Sequence, residues 1–351
     1  MPNALIYLGR RGAGEVFTRE IFRNGNFDLV LLSSNLDSKS NYSQNGKNIH
    51  FIKLYRHRFN YLVRYLFPGA LLKQVQALLD LYNIDNVVFP MLSPFDVKLL
   101  KLANKNGIKT TSIIHDPQRH PGDIWPYRTT IKYIYITSDR IICLSQYTMN
   151  QLEKNFGQKR NVHFYPHPIL TLRGPFSGNR KLGNAIVEPY SLFIGRIRTY
   201  KGLDTLLKAW SLLVDDNKWL VVAGEGRINR KMKKTKNVIF LNKWLDEVEF
   251  INLIKRSHTV IFPYRSASQS GVLPIAMSMN KHIVITNSGG LVEQSDGYNH
   301  RTIVTEPHIS GLKEALENLI ITEPSVIPET LDTDIKIQWK NLSELLQTNN
   351  L

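Results

Sequence analysis

One motif in the second half of the chain combines two cations with two glycines. Gly195-Arg196-Ile-Arg-Thr-Tyr-Lys201-Gly202 follows the strand-like run Tyr190–Ile194 and opens a helix-like segment. An arginine guanidinium forks onto phosphate oxygens, and a lysine ammonium acts as a point charge, so Arg196 and Lys201 suit a diphosphate. The alternative is a solvated basic loop without a ligand.

A second motif is small and polar. Residues 266–277 read Ser-Ala-Ser-Gln-Ser-Gly-Val-Leu-Pro-Ile-Ala-Met, and they precede the apolar run His282–Thr286 and the pair Gly289-Gly290. Backbone N–H groups and hydroxyls ahead of a helix can hold a phosphate. A helix N-cap without a ligand would explain Ser268 or Ser270 alone, but it explains the whole pattern less well.

The first half offers two further candidates. Gly12-Ala-Gly14 follows the first strand-like run, and glycines there would let the backbone approach an anion; a plain strand-to-helix turn is the alternative. His115-Asp116 ends another strand-like run, where His115 could make a hydrogen bond to a ligand and Asp116 could act as a base or orient it. The alternative for His115 is a structural role.

The elements that position these residues follow from hydrophobic patterning. Short runs rich in Val and Ile, without polar alternation, indicate strands buried on both faces of a parallel sheet. They alternate with helix-like segments such as Tyr61–Tyr82 and Phe95–Asn106, which predicts α/β domains. The strand-like runs are Ala4–Leu8, Asp28–Leu32, Asn86–Phe89, Thr111–Ile114, Arg140–Leu144, Tyr190–Ile194, Trp219–Ala223, Val238–Leu241, Val260–Pro263 and His282–Thr286.

The domain organisation is predicted from a break in this alternation. Residues 171–189 are rich in Gly, Asn and Pro and are expected to form a linker. We therefore predict two Rossmann-like domains with parallel sheets facing a central cleft, at residues 1–170 and 190–325. A last helix is expected within residues 326–351.

Charge is distributed unevenly along the 351 residues. Lys and Arg number 45 against 29 Asp and Glu, a net charge of +16. Residues 1–180 hold 24 basic and 11 acidic residues, whereas residues 181–351 hold 21 and 18. This asymmetry suggests an anionic partner for the first half, either nucleic acid or a membrane surface. The segment Lys53–Phe67, which mixes basic and aromatic residues, suits both partners, and a core-facing helix with a solvated basic face is the alternative.

Several classes of protein are excluded or disfavoured. The single cysteine, Cys143, excludes a disulfide framework and a cysteine-based metal site. No run of about 18 apolar residues is present, and the first residues lack a signal-peptide pattern, so a cytoplasmic location is expected.

Taken together and in order, the motifs resemble the retaining glycosyltransferases of the GT-B fold, specifically glycosyltransferase family 4 (group 1). The resemblance spans nearly the whole chain and is strongest over residues 190–320. The elements that carry it are Phe193–Gly202 with Ala209, Val222-Ala-Gly-Glu225-Gly226, Phe240-Leu241 with Trp244, Ile261-Phe-Pro-Tyr264, Ser270-Gly271, Gly289-Gly290-Leu291-Val-Glu293, Gly12-Ala-Gly14 and His115-Asp116 with His120-Pro-Gly122.

The resemblance implies a role for each of these positions. Arg196 and Lys201 would bind the donor diphosphate and stabilise the charge that develops as the nucleotide leaves. His115 would lie on the acceptor side near the donor sugar, with Asp116 beside it. The remaining donor-binding positions would be Gly12, Gly14, Glu225, Trp244, Gln269, Ser270, Gly271 and Val272, of which Trp244 would lie near the nucleobase and Ser270, Gly271 and Val272 would offer backbone N–H groups. The terminal helix of residues 326–351 would cross back onto the first domain.

One departure from the family pattern concerns the sugar end of the donor. The family usually has two glutamates separated by seven residues, but Ala267 and Ile275 occupy those places here. The chain resembles a subgroup in which this pair is degenerate, where Gln269 or Ser270 would take the sugar-side role.

The function that the resemblance implies is transfer of a sugar, with retention, from a UDP- or GDP-sugar to an anionic lipid-linked or oligosaccharide acceptor. The expected pathway is the synthesis of bacterial capsule, O-antigen or exopolysaccharide, on the inner face of the cytoplasmic membrane as a peripheral protein. No cofactor, metal or nucleic acid is expected. The alternatives are an epimerase-type enzyme acting on nucleotide sugars, a catalytically degenerate GT-B protein, and a basic protein that binds nucleic acid without catalysis.

Overall fold

The computed structural model describes residues 1–9, 12–36, 42, 48–54, 63–118, 127–169, 189–213, 218–319 and 331–347. These residues form two compact units. Unit 1 comprises the described residues of 1–119, 123–168 and 333–351, and unit 2 comprises those of 169–332. The expected linker, apart from residue 189, lies outside the described residues.

Unit 1 is built on a seven-stranded parallel sheet in the order β3-β2-β1-β4-β5-β6-β7. Its strands are β1 (Asn3–Tyr7), β2 (Leu29–Ser33), β3 (Asn48–Ile52), β4 (Asn86–Phe89), β5 (Lys109–Ile114), β6 (Arg140–Cys143) and β7 (Val162–Phe164). The helices between them are α1 (Ala13–Asn24), α2 (Gly69–Leu81), α3 (Asp96–Lys105), α4 (Tyr127–Thr137) and α5 (Gln146–Phe156).

Unit 2 is built on a six-stranded parallel sheet in the order β10-β9-β8-β11-β12-β13. Its strands are β8 (Tyr190–Ile194), β9 (Trp219–Ala223), β10 (Val238–Leu241), β11 (Thr259–Phe262), β12 (His282–Thr286) and β13 (Thr302–Thr305). The helices are α6 (Leu203–Trp210), α7 (Glu247–Arg256), α8 (Leu273–Ser278), α9 (Leu291–Gln294) and α10 (Ile309–Glu317).

The continuous apolar runs explain why these strands lie at the centre of each sheet. Every residue of β1, β2 and β4 is buried, as is every residue of β11. A strand covered by helices on both faces buries all its side chains, so polar alternation is absent. The predicted α/β class with two Rossmann-like parallel sheets is confirmed.

The last helix, α11 (Leu331–Gln347), packs on unit 1. The ring of Trp339, which is 1% exposed, lies 5.2 Å from the ring of Phe17 in α1. The Tyr165 hydroxyl donates to the Gln338 carbonyl at 2.6 Å, and the Arg140 guanidinium donates to the Leu346 carbonyl at 2.9 Å. Aromatic contact and backbone-directed hydrogen bonds together hold this helix against the β-sheet unit that begins the chain.

The predicted continuous helix Tyr61–Tyr82 is wrong. Residues 63–66 are helical, but a break follows at Phe67 and Pro68, and α2 begins only at Gly69. A proline inside a helix lacks the N–H that the previous turn needs, and its ring clashes with that turn. Residues 55–62, the centre of the basic and aromatic segment, lie outside the described residues, as do His120 and Gly122.

In the part of the chain that the structure describes, no helix is both long enough and apolar enough to cross a membrane.

Candidate functional site

The carboxyl edge of the unit 2 sheet gathers most of the predicted donor-binding residues. Because all six strands are parallel, the loops that follow them lie along one edge, where ligands of such sheets bind. Arg196 and Lys201 follow β8, Glu225 follows β9, and Trp244 follows β10. The Ser270 loop, which we define as residues 266–272, follows β11, and Gly289-Gly290 follows β12.

Close backbone packing shapes the first part of this edge. The Gly195 N–H donates to the Ala223 carbonyl at 3.0 Å, and the Ile197 N–H donates to the Glu225 carbonyl at 2.9 Å. Gly224 has φ +133°, and a side chain there would overlap the Gly195 carbonyl. Only glycine combines this backbone conformation with so close an approach. Arg196 and the Glu225 side chain are consequently carried on adjacent turns, and both residues are exposed.

Lys201 is directed at a tyrosine in the loop that follows the neighbouring strand, β11. Its Nζ donates to the Tyr264 hydroxyl at 2.6 Å and lies 4.2 Å from the centre of the Tyr264 ring. The same Nζ lies 3.7 Å from where a Cβ of Gly195 would be. Gly202, at φ +66°, ends the short helical turn 199–201 and starts α6. This left-handed position, next to the Pro263 carbonyl, requires glycine.

Tyr264 links Lys201 to the Ser270 loop. The residue is 2% exposed, and its hydroxyl lies 3.4 Å from the Ser270 hydroxyl. Burial raises the pKa of Tyr264 to about 12, although the Ser270 hydrogen bond lowers it slightly, so the phenol is neutral near pH 7. The Ser288 hydroxyl donates to the Tyr264 carbonyl at 2.7 Å. The predicted site did not include Tyr264, although its place directly after β11 was a signal.

The Ser270 loop is held by Gln294 in α9. The Gln294 Oε1 accepts the Ser270 N–H at 2.8 Å, and its Nε2 donates to the Ser270 carbonyl at 3.0 Å. The Val272 N–H donates to the Ser270 hydroxyl at 3.3 Å. Two of the three predicted phosphate donors, the N–H groups of Ser270 and Val272, thus already make hydrogen bonds to side chains of this unit. The third, the Gly271 N–H, makes no hydrogen bond to any of the described residues.

The remaining donor-side positions differ in exposure. Ala267 and Ile275, at the places of the missing glutamates, are both buried. Gln269 is half-buried, and Trp244 is 44% exposed. The loop that carries Trp244 is joined to the Glu225 turn, because the Asn242 side-chain amide exchanges hydrogen bonds of 3.0 and 3.1 Å with the backbone of Gly226.

At the carboxyl edge of the unit 1 sheet, Gly12 has a conformational role and Gly14 has a packing role. Gly12 caps α1 at φ +113°, and its carbonyl accepts the Glu15 N–H at 3.0 Å. A Cβ on Gly14 would lie 2.5 Å from the Tyr7 hydroxyl and 2.8 Å from Met91 Cγ, so a larger residue there would displace these two side chains. Contact with a ligand at Gly12 or Gly14 stays a prediction.

His115 is buried at the end of β5 and is held by a backbone carbonyl. Its Nε2 lies 3.1 Å from the Pro90 carbonyl oxygen; since a carbonyl only accepts, Nε2 carries the proton and donates. Burial lowers the pKa of His115 to about 4, despite the Pro90 bond and the Asp116 charge, so the ring is neutral at pH 7. The orienting partner at Nε2 is therefore Pro90, whereas Asp116 is half-buried and accepts the Tyr127 hydroxyl at its carbonyl, at 2.8 Å.

His115 belongs to an aromatic cluster that the sequence did not reveal. The Phe17 ring lies 4.6 Å from the His115 ring and 5.3 Å from the His167 ring. Burial, followed by the proximity of His115, lowers the pKa of His167 to about 3. Trp339 of α11 completes the cluster through Phe17. The cluster keeps both imidazoles uncharged above about pH 5.

A metal centre is not evident in the described part of the chain. Within those residues, no group of three or more His, Cys, Asp or Glu side chains is arranged to bind a metal ion.

Two family models match the chain. Residues 18–171 match the model described as glycosyltransferase family 4, and residues 188–321 match the model described as group 1 glycosyl transferases. An uncharacterized glycosyltransferase of Methanocaldococcus jannaschii is 29% identical over 209 residues, which cover 56% of this chain and 54% of that protein. The chain therefore spans about half the length of that relative. A second one from the same organism is 24% identical over 310 residues, covering 81% of this chain and 78% of the relative.

Solved structures share the fold over almost the whole chain. Sucrose-phosphate synthase from Thermosynechococcus elongatus has a TM-score of 0.71 at 14% identity, covering 99% of this chain and 96% of that one. Anabaena HepE in complex with UDP-glucose has a TM-score of 0.66 at 16% identity, with coverages of 98% and 94%. WaaG, a glycosyltransferase involved in lipopolysaccharide biosynthesis, has a TM-score of 0.59 at 15% identity, with coverages of 99% and 96%. At these identities the similarity establishes the fold.

The two parallel sheets and these neighbours define a GT-B fold. The two family models then make the identification more specific, because together they cover most of both units. The chain belongs to the group 1, family 4 glycosyltransferases, which are transferase enzymes.

Proposed function

We propose that this protein transfers a sugar, with retention, from a UDP- or GDP-sugar to an anionic lipid-linked or oligosaccharide acceptor in bacterial cell-surface polysaccharide synthesis. The observation that carries the proposal is the convergence of Lys201, Tyr264 and Ser270 at the carboxyl edge of the unit 2 sheet, next to the exposed Arg196 turn. That HepE has been crystallised with UDP-glucose supports a nucleotide-sugar donor.

In the proposed reaction, unit 2 receives the donor diphosphate. Arg196 and Lys201 neutralise the charge that accumulates on the diphosphate as the glycosidic bond to it breaks. The Gly271 N–H donates to a phosphate oxygen, as backbone amides ahead of a helix do. Glu225 and Trp244 contact the nucleoside, while Gln269 or Ser270 contacts the sugar in place of the absent glutamates. No cofactor or metal takes part in the proposed reaction.

His115 acts in this proposal as a neutral hydrogen-bonding group beside the donor sugar. Its pKa of about 4 leaves the ring without a second proton at pH 7, so it does not serve there as a general acid. With Nε2–H bound to Pro90, the nitrogen that can accept a hydrogen bond is Nδ1. Asp116 contributes a negative charge near the same ring, and Gly12 and Gly14 form the floor beside the donor diphosphate.

The acceptor and the membrane are proposed from the first half of the chain. Residues 1–180 carry an excess of 13 basic residues. The side chains of Val63, Leu66 and Phe67, at the end of the basic and aromatic segment Lys53–Phe67, are 43%, 58% and 76% exposed. Cations and exposed apolar groups together favour the surface of an anionic membrane, here the inner face of the cytoplasmic membrane. The role of WaaG in lipopolysaccharide biosynthesis is in keeping with such an acceptor.

The donor proposal is tested by thermal unfolding of the full chain with UDP, GDP, UDP-sugars and GDP-sugars, with and without EDTA, and with uridine and guanosine as matched controls. A ligand that binds only the folded protein raises the melting temperature by mass action. We expect a rise with one diphosphate series that survives EDTA and is absent with the nucleosides. No rise with any nucleotide would contradict the proposed donor site.

The reaction itself is tested with the donor so identified and membrane vesicles that contain lipid-linked saccharides. Transfer of a labelled sugar to the lipid fraction is expected, and NMR of the product should show the anomeric configuration of the donor. Release or isomerisation of the donor sugar without any acceptor would favour an epimerase-type enzyme. Binding without turnover would favour a catalytically degenerate protein.

A further inference from the structure

We propose that Tyr264 and Gln294 are positioning residues of the donor site. Tyr264 holds the Lys201 ammonium in place, and Gln294 holds the Ser270 loop whose Gly271 amide faces the same ligand. The inference rests on the proposed donor site and adds two residues to it. It comes from a continuous chain of hydrogen bonds that joins four separate segments: Lys201, Tyr264, Ser270 and Gln294.

The first contact fixes an otherwise flexible cation. A lysine side chain has four rotatable bonds, and it loses rotamer freedom when it is immobilised on a ligand. Here the Lys201 Nζ is already held at 2.6 Å from the Tyr264 hydroxyl and 4.2 Å from the ring centre. Tyr264 is itself rigid, because it is buried and its carbonyl accepts the Ser288 hydroxyl. The ammonium is therefore preorganised before the diphosphate binds.

The chemistry of the partner suits this role. A carboxylate in the same place would cancel the charge of Lys201, whereas a neutral phenol positions the ammonium and leaves its charge for the phosphate. An ammonium has three N–H donors, and the Tyr264 hydroxyl uses one of them. An ammonium can therefore bond to the Tyr264 hydroxyl and to phosphate oxygens at the same time.

The second contact fixes the loop. The Gln294 side-chain amide behaves like a neighbouring strand, because it accepts the Ser270 N–H and donates to the Ser270 carbonyl. These two bonds set the peptide that precedes Gly271. The Ser270 hydroxyl lies 3.4 Å from the Tyr264 hydroxyl. Tyr264 therefore contacts both the Ser270 loop and the Lys201 ammonium.

The test uses the full chain and isothermal titration with UDP and GDP. Tyr264→Phe keeps the ring but removes the hydroxyl, and we expect it to weaken diphosphate binding about tenfold, which is the size of one hydrogen bond to a charged group. Gln294→Met keeps the shape of the side chain but removes both amide bonds, and a loss of about threefold is expected. Tyr298→Phe is the matched control: this buried unit 2 tyrosine donates to the Lys281 carbonyl, away from the donor residues.

The decisive measurement repeats Tyr264→Phe in a Lys201→Ala background. If Tyr264 acts through Lys201, its substitution has no further effect on nucleotide affinity once the ammonium is gone. An equal loss of nucleotide affinity in both backgrounds would overturn the inference, and so would an unchanged affinity in Tyr264→Phe. In either case, nucleotide binding by the wild-type protein would still support the donor site. Wild-type protein that binds neither UDP nor GDP would overturn the donor site and the inference together.

Discussion

The carboxyl edges of the unit 1 and unit 2 sheets differ in their electrostatic character. In unit 1, a buried histidine is kept neutral by burial, and its ring is held by a backbone carbonyl and an aromatic ring. In unit 2, exposed Arg196 and half-buried Lys201 keep cations at the surface, and the buried partner of Lys201 is a neutral phenol. Both edges end the same kind of parallel sheet.

The difference shows that the fold alone does not determine the chemistry of its ligand edge. Burial favours the neutral form of a titratable group, as it does for His115. A charged edge suits a leaving diphosphate, and a neutral edge suits hydrogen bonding to an uncharged sugar. Three predictions probe this comparison.

The largest effect is expected from the close backbone packing in unit 2. Gly202→Ala would push a Cβ into the Pro263 carbonyl at φ +66°, so we expect a loss of at least about 3 kcal/mol in the free energy of unfolding. The matched unit 1 variant, Gly14→Ala, meets the ends of the Tyr7 and Met91 side chains, which can move, and about 1 kcal/mol is expected. Urea unfolding measures both, and equal losses would contradict the distinction between backbone and side-chain obstruction.

The next effect concerns the cations of unit 2. Arg196→Ala and Lys201→Ala should each reduce sugar transfer about 100-fold, about 2.7 kcal/mol, since each removes charge stabilisation of the leaving group. Lys208→Ala, which removes an exposed lysine of α6 in the same unit, should leave transfer unchanged. Initial rates at saturating donor measure the effect. Full activity in both site variants would place the diphosphate elsewhere.

The smallest effect distinguishes the neutral edge of unit 1. Because the pKa of His115 is about 4 in the folded protein and 6.5 ordinarily, the unfolded chain binds a proton first as the pH falls. The free energy of unfolding should therefore fall by about 2 kcal/mol between pH 7 and pH 5 because of His115, and the fall begins below pH 6.5.

His115→Gln should remove that part of the pH dependence, as measured by hydrogen exchange of the β5 amides. The comparison with wild type is needed because burial raises the pKa of Asp96 to about 7, and its protonation favours the folded state over the same range. Identical pH dependence in the two proteins would mean that the pKa of His115 is not lowered in the folded protein.

The sequence predicted central strands better than edge strands. Tyr190–Ile194, Trp219–Ala223 and His282–Thr286 were predicted at their observed bounds, because strands covered on both faces are continuously apolar. The edge strands β3, β7 and β13 were not predicted, since their half-exposed residues lack that pattern. The fourth edge strand, β10, was predicted because it reads Val-Ile-Phe-Leu.

The candidate site shows a similar division. Lys201 and Ser270 stood out because each belongs to a local motif with glycine. Tyr264, Gln294, Pro90 and His167 did not, because their importance depends on contacts between segments up to 63 residues apart in the chain. The place of Tyr264 just after a predicted strand was a local signal, but the contacts that give these residues their importance are visible only in the folded chain. The roles of the predicted residues remain predictions for the experiments above.

Helix α11 gives the protein an order of assembly. Unit 1 contains residues from both ends of the described chain, and Trp339 contacts Phe17 across more than 300 residues of sequence. During synthesis, the first sheet emerges long before this helix, and its aromatic cluster around Phe17 stays incomplete until unit 2 has been made. All of unit 2 is therefore synthesised before unit 1 is complete. Unit 1 can reach its final packing only when α11 has been made.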